Sequence, residues 1–264
     1  MLLTALEQRG VVCDRIDDRT LVFCVGDPLP RWDLVLNRSI SATTRAELSR
    51  ICGAGGVQVV NELEVLQHCD NKIATTLALH SAGVPTPRTA LTMDPAAGRR
   101  AVDQVGYPAV VKSVNGSWGR GLARITDPDA AEAVFSVRTQ LCSPLQRLGY
   151  VQQFVPGRDV RVLVIGGVPL AAMTRDSEHW VRNTARGAAP RAVPLTPELR
   201  RVATRAAAAV GGGVLGIDVL ETHGGELLVL EVNATPEFHG LAQAHPDCGI
   251  ADAIVEYALN EVAA

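Results

Sequence analysis

Residues 211–238 read GGGVLGIDVLETHGGELLVLEVNATPEF. Two strand-like runs, 214–221 and 226–232, flank His223-Gly224-Gly225, a spacing that predicts a β-hairpin. Side chains alternate faces along a strand. An antiparallel register whose paired numbers sum to an odd value therefore sets even positions of the first strand beside odd positions of the second. In that register Leu215, Ile217 and Val219 join Leu228, Leu230 and Val232 in one apolar layer, and the opposite face carries Asp218 beside Glu231 and Asn233. Adjacent carboxylates repel and raise each other's pKa unless a cation lies between them. Oxygen-only ligands suit Mg²⁺, which takes one or two protein carboxylates and fills its shell with water and phosphate oxygens. A half-exposed hairpin with a solvated polar face would show the same pattern, so this stretch alone leaves both readings open.

The rest of the chain narrows the choice. Its 264 residues are 47% hydrophobic and 20% charged, with a formal net charge of −3. That is the composition of a globular protein with room for one large domain or two to three small ones. The charge gives no argument for nucleic acid or an anionic membrane as partner. No apolar run approaches the roughly 18 residues of a membrane span, and the opening MLLTALEQRG lacks the basic head and apolar core of a signal peptide. Six cysteines, at 13, 24, 52, 69, 142 and 248, show no CxxC pair and no metal-like spacing with His. They read as reduced thiols, which places the expected protein in the cytoplasm.

Residues 1–61 look like βαβ material that begins in the middle: a short amphipathic helix closed by Gly10, then strand-like VVCDRI, LVFCV and DLVLNRS. A helix as first element leaves a parallel sheet without its leading strand. Arg38-Ser39-Ile40-Ser41 ends a strand, where open α/β sheets present ligand loops; on spacing alone a capped turn into a helix over 43–52 is the favoured reading. Asn61 with Glu64 matches a capping box, and Asp70 is expected to cap the next helix, which stops at Gly83. Lys72 falls in the first turn of that helix, where the dipole disfavours a cation. It is either a solvated lysine or one aimed at an anion. A strand over 107–114 delivers Lys112 into Asn115-Gly-Ser-Trp-Gly-Arg-Gly121, a glycine loop whose amides can approach phosphates, although it is neither a Walker loop nor GxGxxG. After a helix over 128–140 come strand 150–155, a hairpin turning at Gly166-Gly167, and a polar loop over 178–187. A Thr196-capped helix then leads into the opening hairpin, and a helix over 250–262 ends the chain.

This order of parts resembles the ATP-grasp superfamily of carboxylate–amine ligases, and within it the LysX/ArgX branch close to RimK. The segments that carry the resemblance are RSIS (38–41), NKIATTLAL (71–79), VVKSVNGSWGRG (110–121), GRDVRV (157–162), HWVRNTARG (179–187) and EVNATPEF (231–238). The resemblance implies an α/β fold with α+β lobes: a Rossmann-like pre-ATP-grasp domain over 1–86, lacking its first strand, a central lobe over 87–150 and a C-terminal lobe over 151–264. It implies that Lys72, Lys112 and the loop residues Gly116, Ser117, Trp118 and Gly119 meet the phosphates of ATP, with Gln152, Gln153, Phe154 and Val155 as the adenine hinge. Asp218, Glu231 and Asn233 would hold two Mg²⁺ ions, and Arg161 and Arg186 would be catalytic. Arg38, Ser41, Asn183, Thr184 and Glu237 would meet the substrate.

The implied reaction joins the amino group of α-aminoadipate or glutamate to the C-terminal glutamate of a small acidic LysW-like carrier protein. The enzyme would be a homo-oligomer, dimer or tetramer. A RimK-like glutamate ligase acting on another protein or small molecule is the nearest alternative, and a non-catalytic nucleotide-binding scaffold is the alternative of a different class. The chain departs from the family pattern at Gln153, where relatives often carry an acid, and at Ala234 and Pro236 within a motif that often reads NHTxEF.

Overall fold

The structure, a computed structural model, describes residues 1–116, 121–176 and 189–263. Helix α1 (Leu2–Gln8) leads through an extended stretch to β1 (Leu34–Leu36), α2 (Ala42–Ala54) and β2 (Gln58–Val60), and β1 and β2 pair in parallel. VVCDRI and LVFCV, expected as strands, are not strands: Val12, Val22 and Val25 stand almost fully exposed. A strand needs a neighbouring strand for its N–H and C=O groups, and among the described residues no strand pairs with these two runs. Helices α3 (Leu63–Cys69) and α4 (Lys72–Ser81) follow.

Two caps differ from expectation. Asn71, not Asp70, caps α4, its side-chain oxygen accepting from the amides of Ile73 and Ala74. Asp70 turns instead to Arg45 at 2.7 Å. Asn61 makes no capping box: α3 starts after Glu62 without a side-chain cap. The Asn61 amide is directed to a distant strand, because three backbone groups there have greater need of it than a solvated helix end has of a cap.

A four-stranded antiparallel sheet comes next, built from β3 (Thr89–Thr92), β4 (Ala109–Lys112), β5 (Ala123–Ile125) and β6 (Gly149–Gln153) in the order β3-β6-β4-β5. Helices α5 (Gly98–Val105) and α6 (Pro128–Thr139) cover one face, packing Val102 and Phe135 on Ala109, Val111 and Val151. Alternation then commits Lys112, Tyr150 and Gln152 to the other face. Between α6 and β6 lies the single turn α7 (Pro144–Arg147).

The remaining strands, β7 (Gly157–Ile165), β8 (Val168–Asp176), β9 (Ala189–Val193), β10 (Val214–Thr222) and β11 (Leu227–Asn233), form a five-stranded sheet ordered β11-β10-β7-β8-β9. Helix α8 (Pro197–Ala209), capped by Thr196, covers one face together with α3 and α4, over Val160, Val162, Leu215, Ile217 and Val219. The opposite face is covered at one end by α9 (His239–Ala244) and α10 (Ile250–Ala263), which bury Leu163, Ile165 and Val214. Beyond them that same face turns polar, at Arg161 and Asp218.

The β10–β11 hairpin forms as expected but carries a bulge. Gly216 pairs Asn233, Ile217 pairs Val232 and Asp218 pairs Glu231; past Asp218 the register shifts, so that Val219 faces Val229 and Leu220 faces Leu228. Leu230 is the additional residue. The apolar layer therefore takes Val229, with Val232, in place of Leu228 and Leu230. One inserted residue reverses the parity of everything beyond it, and hydrophobicity alone could not reveal it in the run Leu227-Leu228-Val229-Leu230.

Candidate active site

The polar face begins with a pair that is nearly dry. Arg161 on β7 lies directly across from Asp218 on β10. Its Nε donates to Asp218 Oδ1 and its Nη2 to Oδ2, both at 2.7 Å, and each side chain is 10% exposed. This is the bidentate geometry in which guanidinium and carboxylate match best. Burial alone would lower the pKa of Arg161, but Asp218, with Glu231 and Asp159, raises it above the ordinary arginine value. Asn233 donates to Asp218 Oδ2 at 3.3 Å and to Gly216 O at 3.4 Å. Gly216 leaves room for Pro236, whose Cβ would stand 2.9 Å from a side chain at that position. Glycine there lets segment 234–238 fold back over the sheet.

Glu231 faces the four-stranded sheet through Lys72. The Lys72 ammonium lies 3.1 Å from Glu231 Oε1 and donates to Gly116 O at 2.8 Å; its side chain is 13% exposed. The solvated-lysine reading is therefore set aside. Position also follows from the backbone, because Lys72 N donates to Val114 O at 3.0 Å, which pins the start of α4 to the strand end that carries Lys112. Lys112 donates to Gln152 Oε1 at 2.6 Å. Burial pushes its pKa down to about 8, with Glu231 the main opposing influence. Asp159, which the sequence did not single out, shares the β7 face with Arg161 and contributes to that opposing field. Strand alternation from Arg161 was the signal that would have found it.

On the hinge, the amides of Gln153 and Phe154 donate to Arg88 O and Pro108 O at 2.8 and 3.0 Å. Arg124 stacks on the Phe154 ring at 4.0 Å. Arg38 reaches across to segment 234–238: Nη2 donates to Pro236 O at 3.0 Å, and the guanidinium stands 5.6 Å from the centre of the Phe238 ring. Burial lowers its pKa, with Glu237 opposing. Ser41 caps α2, its oxygen accepting from Thr44 N at 3.2 Å. Arg45 braces this turn by donating to Ser39 O at 2.7 Å while pairing with Asp70. Ser117, Trp118, Gly119, Asn183, Thr184 and Arg186 lie outside the described residues.

The structure thus gathers Lys72, Lys112, Gly116, Gln152, Arg161, Asp218, Glu231 and Asn233 between two sheets, with Arg38 and Glu237 beside segment 234–238. Among the described residues no three His, Cys, Asp or Glu side chains cluster to hold a metal. A cation here would rest on two carboxylates, an amide oxygen and oxygens from outside the protein, which is the donor set of Mg²⁺ bound to a phosphate chain. The residues fit such an ion, provided Lys72 yields Glu231 and the Asn233 amide turns its oxygen inward.

Comparison with known proteins agrees with this geometry. Residues 69–257 match the model of the RimK-like ATP-grasp domain, and residues 1–68 that of the LysX preATP-grasp domain. The α-aminoadipate–LysW ligase LysX of Saccharolobus solfataricus is 34% identical over 209 residues, 78% of this chain and 76% of the relative. The glutamate–LysW ligase ArgX of Sulfolobus acidocaldarius is 29% identical over 244 residues, 89% of this chain and 86% of the relative. The crystal structure of a RimK domain ATP-grasp protein from Sphaerobacter thermophilus superimposes with a TM-score of 0.81 at 27% identity, covering 98% of this chain and 94% of that one. Two sheets closing on a lysine-lined, carboxylate-bearing cleft, and matches that run the length of the chain, lead to one conclusion: the protein belongs to the RimK-like ATP-grasp family of ligases.

Proposed function

We propose that the protein joins the amino group of an acidic amino acid, α-aminoadipate or glutamate, to the C-terminal glutamate of a small LysW-like carrier protein in the cytoplasm. The observation that carries this reading is Lys72, whose ammonium spans the loop carbonyl of Gly116 and the Glu231 carboxylate, so that a phosphate site and a metal site share one cation. ATP-grasp ligases use ATP and Mg²⁺. In this chain Asp218, Glu231 and Asn233 would hold two ions, which supply charge neutralisation at the phosphate oxygens.

A carboxylate is a poor electrophile, so it is first phosphorylated by ATP, and the amine then displaces phosphate from the acyl phosphate. Positioning dominates such chemistry. Lys72 and Lys112 orient the phosphate chain. The hinge Gln152 to Val155 receives the adenine, through the carbonyls beyond 152 and the Val155 amide, because the Gln152 backbone lies within the sheet ladder and the Gln153 and Phe154 amides are engaged within the lobe. Arg161, held rigid by Asp218, and Arg186 face the charge that develops during transfer. Residues 116–121 exclude water from the acyl phosphate. Arg38, Ser41, Asn183, Thr184 and Glu237 surround the amino acid, where guanidinium groups suit a substrate with two carboxylates. We assign the pre-ATP-grasp unit to 1–86 and the two lobes to 87–150 and 151–264, and expect a homo-oligomer.

The test is ADP release from purified enzyme with ATP, Mg²⁺ and glutamate or aminoadipate. Release should require a LysW-like carrier and vanish when the carrier lacks its terminal glutamate. ADP release that ignores that glutamate would contradict the proposal.

A further inference from the structure

The two lysines reach the cleft from different elements, and a buried run of hydrogen bonds joins those elements behind them. Gln152 on β6 is 2% exposed. Its oxygen accepts from Lys112 Nζ at 2.6 Å, and its Nε2 donates to Thr89 Oγ1 at 3.2 Å and to the Tyr150 hydroxyl at 3.1 Å. That hydroxyl stands 2.8 Å from Thr76 Oγ1, one helical turn after Lys72 on α4.

Lys112 and Thr89 fix the orientation of the Gln152 amide. An ammonium has no acceptor, so the amide must present its oxygen to Lys112. Thr89 gives its own proton to Pro87 O at 2.9 Å, so it accepts from Gln152. The Tyr150 oxygen also accepts from Gln152, and its hydroxyl shares a hydrogen bond with Thr76 in which either oxygen can donate. One orientation of the Gln152 amide satisfies all of these partners, and networks of this kind fix a side chain more firmly than any single bond. The backbone at 152 lies within the sheet ladder, paired with Thr89 and Val110, so it is the side chain that faces the cleft.

We propose that Gln152 is a positioning residue for nucleotide binding: its side-chain oxygen holds Lys112 in the cleft, and the Tyr150–Thr76 arm ties that lysine to the helix carrying Lys72. The proposal rests on the reading of Lys112 as a phosphate lysine. A neutral partner is what the task requires. An amide oxygen gives the ammonium a direction and leaves its charge for the phosphates, whereas a carboxylate at the same place would neutralise it. Burial sets the proton affinity of Lys112 at a pKa of about 8; Glu231, Asp159 and Asp218 oppose the lowering and Lys72 adds to it. The Tyr150 ring lies 5.8 Å from the ammonium.

The experiment is calorimetric titration of ADP with Mg²⁺ between pH 6.5 and 9.5, on wild type, Gln152→Leu, Gln152→Glu and Tyr150→Phe, with melting curves of each protein alone. Wild-type affinity should fall as pH rises past about 8, where Lys112 loses its proton. Gln152→Leu should bind about tenfold more weakly at pH 7. Gln152→Glu should move the alkaline fall upward by about one unit or more, because the added carboxylate keeps Lys112 protonated. Tyr150→Phe keeps the Lys112 contact but cuts the arm to Thr76, and should weaken binding roughly threefold with the fall still near pH 8. Should Gln152→Leu fail to fold, the other two variants decide. Affinities within about twofold of wild type in both, with an unmoved alkaline fall, would overturn the assignment. Wild type that binds no ADP would overturn the phosphate reading of Lys112 itself, and that result appears in a separate arm.

Discussion

Lys72 holds two partners that a nucleotide would take from it, the Gly116 carbonyl at 2.8 Å and the Glu231 carboxylate at 3.1 Å. A charge-assisted contact from this ammonium to a phosphate contributes roughly 1.5–3 kcal/mol. Lys72→Ala should therefore weaken ATP binding roughly ten- to a hundredfold by calorimetry; unchanged affinity would leave Lys72 as an ion-pair partner only. Glu231→Ala should abolish Mg²⁺-dependent ATP turnover while the melting temperature moves little, since the Glu231 side chain is 28% exposed. ADP formation near the wild-type rate would remove Glu231 from the reaction. The Arg161–Asp218 pair makes a different prediction. Both side chains are almost dry, and deleting one partner strands the charge of the other. Arg161→Ala should cost about 3–5 kcal/mol in urea unfolding, against well under about 1 kcal/mol for a solvated pair. Asp218, Glu231 and Asn233 were legible in the sequence because strand alternation places charges without knowledge of the fold. Their partners were not: that Arg161 locks onto Asp218, or that Gln152 turns its side chain to Lys112, depends on strand neighbours 57 and 40 residues apart.

At the scale of elements, the hairpin that carries the carboxylates is held from outside. Asn61 is 4% exposed; its amide donates to Val214 O at 2.8 Å and Ala234 O at 2.6 Å, and its oxygen accepts from Val214 N at 2.8 Å. It clamps the first residue of β10 to the segment just beyond β11. Asn61→Ala would leave three buried backbone groups without a partner, a loss on the order of 2–4 kcal/mol, measurable as a lower urea midpoint. Gly213→Ala should act on the same clamp, because a Cβ there would stand 2.3 Å from the Asn61 oxygen on a backbone at φ +95°. The sequence offered Asn61 and Glu64 as a capping box, a local pattern that a tertiary demand overrode. The Leu230 bulge was hidden for a related reason: in an uninterrupted apolar run every register buries apolar atoms, so only the neighbouring strand decides. The helix start at Thr196 was readable because its cap, an oxygen that accepts from the amide of Leu199 three residues on, is satisfied locally.

For the molecule as a whole, the order of lysine, glycine loop, hinge strand, arginine and carboxylate hairpin carried the resemblance to the ATP-grasp superfamily, and it was that resemblance that implied two lobes with a cleft between them. What the order could not convey is how α3 and α4 sit. They pack Val65, Leu66 and Leu79 into the core of the five-stranded sheet, so the helix bearing Lys72 is anchored to the lobe that bears Glu231 and bonded to the lobe that bears Lys112. No helix among the described residues is long and apolar enough to cross a membrane, and the six cysteines form no disulfide. On the function proposed above, this cleft ligates an acidic amino acid to a carrier protein. The most direct test gives purified enzyme ATP, Mg²⁺, a LysW-like carrier and, one at a time, each standard amino acid and α-aminoadipate, and reads the intact mass of the carrier. The expected result is a gain equal to one residue of glutamate or α-aminoadipate, lost when the carrier's terminal glutamate is removed. A carrier modified by a neutral amino acid, or an amino acid ligated equally well without any carrier, would contradict it.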